Sequence, residues 1–133
     1  MEHSAFLAME PPTVTHNDLR AALRGGRPTI VKSDRLKEAE DAIMARLVPA
    51  RPAEPLSGPL SVEVRWCFAT RGSHAQGEPH TSRPDMSNML KTLEDCMVRA
   101  GWIVDDSLVC DEHTAKAWMD PAGIWVRAAE IIP

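Results

Sequence analysis

The clearest hydrophobic pattern in the chain is a strict alternation over residues 60–68. The apolar positions are Leu60, Val62, Val64, Trp66 and Phe68. Successive side chains of a β-strand point to opposite faces of a sheet, so this pattern predicts a strand with one buried face. Shorter apolar runs predict further strands over residues 4–9, 28–31, 108–118 and 124–132.

Two other segments have the spacing of amphipathic helices. One covers about residues 34–48, where apolar residues recur at helical spacing after Ser33, a suitable N-cap. The other covers residues 85–100 and ends before Gly101, which suits a C-cap. Its apolar stripe consists of Met86, Met89, Leu90, Leu93, Cys96, Met97 and Ala100.

The order of these elements predicts a single small α/β domain over residues 1–133, with two main helices packed on a mixed β-sheet. Residues 13–27 are polar and basic and contain Gly25-Gly26, so we expect a mobile basic loop there. Residues 49–59 contain four prolines, which favours a stiff connector.

Charge is distributed unevenly along the chain, whose formal net charge is −4. Residues 1–84 carry 11 Lys/Arg against 10 Asp/Glu, whereas residues 85–133 carry 4 against 9. A net negative charge is unusual for a nucleic-acid-binding protein, but residues 18–37 form a locally basic segment. The acidic half is either a solvated surface or a site whose charge a bound cation offsets.

Several other classes of protein are disfavoured. No apolar run approaches the roughly 18–20 residues of a membrane span, and the N-terminus lacks the pattern of a signal peptide. Three cysteines without an export signal favour a reducing cytoplasm over a disulfide framework. The spacings of His74 with His80 and of Cys110 with His113 do not form a zinc motif. The four tryptophans are expected in the core or at an interface.

The candidate functional residues are mainly aspartates that lie on or near the second predicted helix. Asp85 stands at the start of this helix, and Asp105-Asp106 follows its end. Asp85 and Asp106 can meet only if the strand after Asp106 runs back along the helix, or if a partner element brings them together. Such a pair would suit a hard cation such as Mg²⁺, and Lys91 could then stabilise a phosphoryl transition state. Asn88, Lys91 and Asp95 share one side of the helix.

Each of these residues also has an ordinary structural interpretation. An aspartate at a helix start is commonly a cap or a partner of the helix dipole, and an Asp-Asp pair in a turn is commonly solvated. Lys91 and Asp95 have the spacing of a surface ion pair. The spacing alone leaves the structural and the metal-binding interpretations open.

The same residues resemble the RusA family of Holliday junction resolvases, which are small dimeric endonucleases common in phages and prophages. The family pattern is roughly PD-x-DN-x-x-K, an aspartate about four residues later, and G-[FW]-x-x-DD. This chain has RPDMSNMLK at 83–91, DCM at 95–97 and GWIVDD at 101–106. Further similarities lie at residues 11–13, 27–31, 58–60, 116–118 and 121–124, so the resemblance covers nearly the whole chain.

The resemblance implies a role for individual residues. It implies that Asp85 and Asp106 bind Mg²⁺, for which Mn²⁺ can substitute, and that Lys91 is catalytic; Asp105 and Ser87 are further candidate ligands. It implies supporting roles for Asn88 and Asp95. At Ser87 the family has a second essential aspartate, and a neutral hydroxyl is a poorer Mg²⁺ ligand than a carboxylate.

The resemblance also implies a homodimer that binds branched DNA, and we expect a bacterial or phage-encoded protein that is cytoplasmic and associated with the nucleoid. The lack of a long apolar run predicts no membrane association. We expect the basic residues to contact phosphates, and these are Arg20, Arg24, Arg27, Lys32 and Arg83. Two functions are consistent with these features: a Mg²⁺-dependent endonuclease that resolves junctions, and a branched-DNA-binding protein whose cleavage is weakened or lost because of Ser87. A third hypothesis is a small α/β protein with no role in nucleic-acid metabolism.

Overall fold

The computed structural model describes residues 1–132 and contains seven β-strands and two α-helices. The strands are β1 (Glu2–Leu7), β2 (Leu19–Arg24), β3 (Arg27–Lys32), β4 (Leu60–Phe68), β5 (Glu78–Pro79), β6 (Val109–Trp118) and β7 (Gly123–Glu130). The helices are α1 (Asp34–Leu47) and α2 (Met86–Arg99). The molecule is thus a small α/β protein with two helices, as the sequence predicts.

Five of the strands form one mixed sheet in the order β1-β7-β4-β6-β5. Strands β4 and β6 are parallel, and the other neighbours are antiparallel. The short strand β5 lies in the segment that connects β4 to α2. None of the helices in residues 1–132 is long and apolar enough to cross a membrane.

The register of the central strands explains why one face of this sheet is buried. Val62, Val64 and Trp66 of β4 lie opposite Ala128, Val126 and Ile124 of β7, and all six are buried. The intervening Glu63 and Arg65 remain partly or fully exposed. The apolar stripes of α1 and α2 join the same hydrophobic core, so both helices cover this face.

The helix boundaries follow from local chemistry. The Ser33 hydroxyl accepts a hydrogen bond from the Leu36 amide, which confirms the predicted N-cap of α1. Helix α2 ends before Gly101, whose φ of 82° lies in the left-handed region that favours glycine. Trp102 follows and is fully buried, and its indole N–H donates to the Leu47 carbonyl oxygen over 2.8 Å. This contact fixes the path of the chain that leaves α2.

The prediction of a loop over residues 13–27 is wrong for residues 19–24, which form strand β2, whereas residues 13–18 contain no helix or strand. The strand predicted over residues 28–31 is confirmed as β3. Residues 19–24 and 27–32 form an antiparallel hairpin, β2–β3, which pairs with no other strand among residues 1–132. Gly25 and Gly26 have φ of 58° and 77°, so they form a two-residue turn of the kind that matches strand twist. Residues 13–17 pack against α2 through a hydrogen bond from the His16 amide to the Thr92 hydroxyl oxygen.

Candidate active site

Strand β6 runs back along α2, which is one of the two arrangements that would let Asp85 and Asp106 approach each other. The ammonium of Lys116, near the end of β6, donates to the carbonyl oxygens of Ser82 and Pro84, just before α2 begins. At the other end of β6, Asp106 lies beside Lys91, in the second turn of α2. The strand therefore links the start of the helix to the segment that carries Asp106.

Lys91 is placed between two carboxylates. Its Nζ lies 3.7 Å from Oδ2 of Asp106 and 3.8 Å from Oδ1 of Asp95. The side chain of Lys91 is half-exposed, so these ion pairs contribute little to stability. The Lys91–Asp95 pair was expected from the spacing, whereas contact with Asp106 depends on the tertiary fold. Lys91 remains accessible to a ligand at this surface.

The two neighbouring aspartates differ in their environment. Asp106 opens a single 3-10 turn, Asp106–Leu108, and faces Lys91. Oδ2 of Asp105 instead accepts a hydrogen bond from the Ser107 hydroxyl over 2.6 Å, which lowers the pKa of Asp105. Of the pair, Asp106 is therefore the residue that the fold directs toward the lysine.

Asp85 precedes the first turn of α2 and is exposed. Its carboxylate makes no capping hydrogen bond to the helix, so capping does not occupy it. It lies six residues before Lys91, which corresponds to about 9 Å along the helix axis. Ser87 lies between them in the sequence and is also exposed, so both side chains are accessible from solvent.

A polar cavity of about 330 Å³ lies beside Asp85. Its lining includes Thr13, Thr15, Asn17, Arg83, Asp85 and Asn88. These side chains supply hydroxyl, amide and guanidinium donors next to one carboxylate, a set that suits an anionic group together with a cation. The sequence does not predict that residues 13–17 line this cavity, because the local pattern of these residues gives no sign that they pack on α2.

A second feature that sequence reasoning missed is a pair of glutamates beside Lys91. Glu94 is only 7% exposed, and its Oε2 has no hydrogen-bond partner in the described structure. Burial, followed by the proximity of the Glu112 carboxyl group, raises the pKa of Glu94 to about 8. Asp106 raises this pKa further and Lys91 lowers it, so the four groups form one electrostatic cluster. Glu94 falls outside the motif, and only its packing against β6 marks it.

The predicted DNA-binding residues have different surroundings. Arg24 and Arg27 flank the hairpin turn and are exposed, and Arg83 lines the cavity beside Asp85. Arg20 forms an exposed ion pair with Asp34 at 3.8 Å. Lys32 donates to both carboxylate oxygens of buried Glu40, at 2.9 and 3.0 Å, so its ammonium is already bound within the molecule.

The oxygen ligands of this site can bind a divalent cation only if water or a bound phosphate supplies the remaining ligands. Carboxylate oxygens from Asp85 and Asp106 and the Ser87 hydroxyl are hard ligands of the type Mg²⁺ takes. Within residues 1–132, however, no group of three or more His, Cys, Asp or Glu side chains is arranged to hold a metal. Mg²⁺ commonly binds through one or two carboxylates plus water and phosphate oxygens, so the chemistry of these side chains suits Mg²⁺ without a closed cage of protein ligands.

These features define a class: a small α/β protein with an acidic surface site that contains a lysine and adjoins a polar cavity. Comparison with known proteins is more specific. The family model described as endodeoxyribonuclease RusA matches residues 10–128, which include every residue of the site. The chain therefore belongs to the RusA family, as its motifs indicate.

One curated relative supports this assignment. The chain is 30% identical over 70 residues to a protein named crossover junction endodeoxyribonuclease rusA from Lactococcus phage r1t. The match covers 51% of this chain and 53% of the relative. Thus the chain spans about half the length of the curated relative that it matches.

Proposed function

We propose that this protein is a Mg²⁺-dependent, structure-selective endodeoxyribonuclease that cuts four-way junctions or other branched DNA in recombination and repair. The observation that carries the proposal is the ion pair of Lys91 with Asp106, residues 15 positions apart that both match the family motif. Since the family model covers nearly all of the chain, the same chemistry is the simplest use of this site.

In the proposed site, Asp85 and Asp106 hold the ion, with Ser87 and Asp105 as weaker additional ligands. When bound, Mg²⁺ supplies a Lewis acid that activates water and offsets charge on the phosphate. Lys91 stabilises the negative charge that develops on the phosphoryl oxygens. Asn88 and Asp95 support the site: Asp95 orients Lys91, and Asn88 and Arg83 help to position the phosphodiester in the adjoining cavity.

We further propose that the protein acts as a homodimer. A two-fold protein has two equivalent sites, and these suit the approximate two-fold symmetry of a four-way junction. Exposed arginines of the β2–β3 hairpin and Arg83 would contact phosphates of the arms, and Lys32 would contribute less because Glu40 binds its ammonium. Sedimentation at micromolar concentration tests this, and a monomer that binds junctions no better than linear duplex would contradict it.

A second candidate function is a protein that binds branched DNA but cuts it slowly or not at all. Ser87 is the observation that favours it, since the site has one carboxylate fewer than the family motif. On this interpretation, junction affinity is high while cleavage stays at background over a range of Mg²⁺ and Mn²⁺ concentrations.

The first experiment is cleavage of a labelled four-way junction beside linear duplex, with Mg²⁺ or Mn²⁺. The test variant is Asp106→Asn, and the matched control is Asp111→Asn, an exposed aspartate on β6 that accepts a hydrogen bond from Ser61. We expect junction-selective cleavage that Asp106→Asn abolishes and Asp111→Asn preserves. Tight binding without cleavage would support the second function, and no binding at low salt would contradict both.

A further inference from the structure

The β2–β3 hairpin is a two-stranded sheet separate from the five-stranded sheet, and most of its side chains are exposed. Each strand has six residues, so the ribbon is about 20 Å long. A hairpin of only two strands is at best marginally stable in water, because one layer cannot bury its apolar side chains. We therefore expect its exposed surface to bind a partner.

One face of the hairpin is apolar except for Lys32 at its base, which lies opposite Leu19. In the antiparallel register, Leu23 lies opposite Pro28 at the tip and Ala21 lies opposite Ile30, so these side chains share a face. Leu23 is 75% exposed and Ile30 is 71% exposed. Large apolar side chains exposed together in this way mark an interaction surface.

The other face is basic. Arg24 lies directly opposite Arg27 beside the turn, and Arg20 lies on the same face. Like charges opposite each other on a ribbon repel, and within residues 1–132 neither Arg24 nor Arg27 forms an ion pair. An anionic partner would relieve this repulsion.

DNA matches both faces better than a second protein does. Its phosphates pair with arginines, and its bases accept apolar side chains between them. A stable protein interface needs about 20–30 residues from each partner, whereas the two strands of the hairpin have 12 residues divided between two faces. The apolar pair at the tip is too small for such an interface but large enough to contact one base step.

We propose that the hairpin is a DNA-binding arm whose tip inserts Leu23 and Pro28 between bases at a branch point, while Arg24 and Arg27 bind the flanking phosphates. The inference rests on the proposed function and adds to it a source of selectivity. Unstacking is least costly where pairing and stacking are already interrupted, so the wedge favours branched DNA over intact duplex.

The arm also leaves the molecule next to the candidate active site. His16, three residues before β2, donates its backbone N–H to the Thr92 hydroxyl of α2 over 2.9 Å. Three residues span at most about 10 Å, so the base of the arm lies close to the helix that carries Lys91. A branch point engaged by the tip would therefore lie within about 30 Å of this helix, which is the length of the arm plus that of the three-residue connection.

The test uses a four-way junction with 2-aminopurine at the branch point, because the fluorescence of this base rises when it unstacks. The test variant is the double substitution Leu23→Ala and Pro28→Ala. The matched control is Ile30→Ala, which removes an equally exposed apolar side chain from the same face but farther from the tip. Circular dichroism checks that all three proteins are folded.

We expect the wild-type protein and Ile30→Ala to raise the fluorescence, and the tip variant to lose most of the rise and bind junctions about tenfold more weakly. An unchanged fluorescence rise with the tip variant would overturn the wedge. Conversion of a dimer to a monomer by the tip substitutions would also overturn it, since the face would then bind a second copy. If the wild-type protein binds no DNA, the proposed function itself fails.

Discussion

Ser87 is the residue on which the catalytic strength of this site depends. It is exposed, lies two residues after Asp85, and supplies a neutral oxygen where the motif has a carboxylate. We predict that Ser87→Asp strengthens Mg²⁺ binding and raises the rate of junction cleavage by about tenfold or more, because a charged ligand holds the ion more firmly. Isothermal titration with Mg²⁺ and single-turnover cleavage measure the two effects separately.

Ser87→Asn is the matched control, because it has nearly the shape of aspartate without its charge. An aspartate in the first turn of α2 also stabilises the helix by about 0.3–1 kcal/mol, so the melting temperature is measured for both variants. If Ser87→Asp bound junctions but gained neither Mg²⁺ affinity nor rate, the assignment of Asp85 and Asp106 as the ion site would be wrong.

Glu94 makes stability depend on pH. Its pKa is about 8 in the folded protein and near 4.3 in an unfolded chain, so the native state binds an extra proton between these values. The free energy of unfolding should therefore fall as pH rises through this window. Glu94→Gln removes the ionisable group, so at pH 8.5 its free energy of unfolding should exceed that of wild type by about 1–2 kcal/mol. The full pKa shift would correspond to a larger difference, but solvent screens the charge of the exposed Glu112.

Urea denaturation at pH 5 and pH 8.5 measures this difference, with the partly exposed Glu63→Gln as control. The advantage of Glu94→Gln should be small at pH 5, where the native Glu94 is protonated and carries no charge. An equal advantage at both pH values would mean that packing, and not ionisation, sets the effect.

At the scale of elements, buried Glu40 of α1 joins the hairpin to both helices. It accepts hydrogen bonds from Lys32 of β3, and its Oε1 lies 3.7 Å from a guanidinium nitrogen of Arg99 in α2. We predict that Lys32→Met destabilises the protein by about 1–3 kcal/mol, because it leaves a buried carboxylate with one distant cation. Glu40→Met should cost less, because the two cations that remain are half-exposed and can be hydrated.

Denaturation of the two variants beside Arg20→Met tests this asymmetry. The Arg20–Asp34 pair is exposed on both sides, so its loss should change stability by less than about 0.5 kcal/mol. A larger cost for Glu40→Met than for Lys32→Met would show that Glu40 acts mainly through packing.

The elements that the sequence predicts well are those defined by local periodicity and caps. Strand β4 and helices α1 and α2 agree with prediction to within one residue at each end, because one buried face imposes a period of two or of about 3.6 on the chain. Of the hairpin, β3 is predicted over residues 28–31, but β2 is not, although Gly25-Gly26 between two short strand-forming runs is a hairpin signal. The large number of arginines obscured the alternation of its apolar residues.

For the candidate site, the local sequence predicts the residues but not the tertiary contacts between them. The motif identifies Asp85, Lys91 and Asp106, but only the tertiary path through buried Trp102 brings Asp106 to Lys91. The burial of Glu94 follows from the packing of α2 on β6, and the cavity beside Asp85 from the packing of residues 13–17. These are contacts between distant segments, which periodicity does not encode.

At the scale of the whole molecule, charge is separated between the arm and the acidic site. The net charge is −4, yet the turn of the hairpin has two exposed arginines and the surface around Lys91 carries several carboxylates. In the proposed complex, DNA would bind at the basic arm, and Mg²⁺ would reduce the repulsion of its phosphates by the acidic surface. We therefore expect junction affinity to increase with Mg²⁺ and to decrease with monovalent salt.

The salt dependence of binding gives a direct test of the arm. Each phosphate contact contributes about −0.9 to the slope of log affinity against log salt concentration. The double substitution Arg24→Gln and Arg27→Gln should therefore reduce the magnitude of the slope by about 2 per protomer bound, and lower affinity for junction and duplex alike. Fluorescence anisotropy from 50 to 200 mM salt measures the slope, with Arg51→Gln as control, since Arg51 lies next to Gly101 and away from the arm. An unchanged slope in the arm variant would mean that the phosphates bind elsewhere on the molecule.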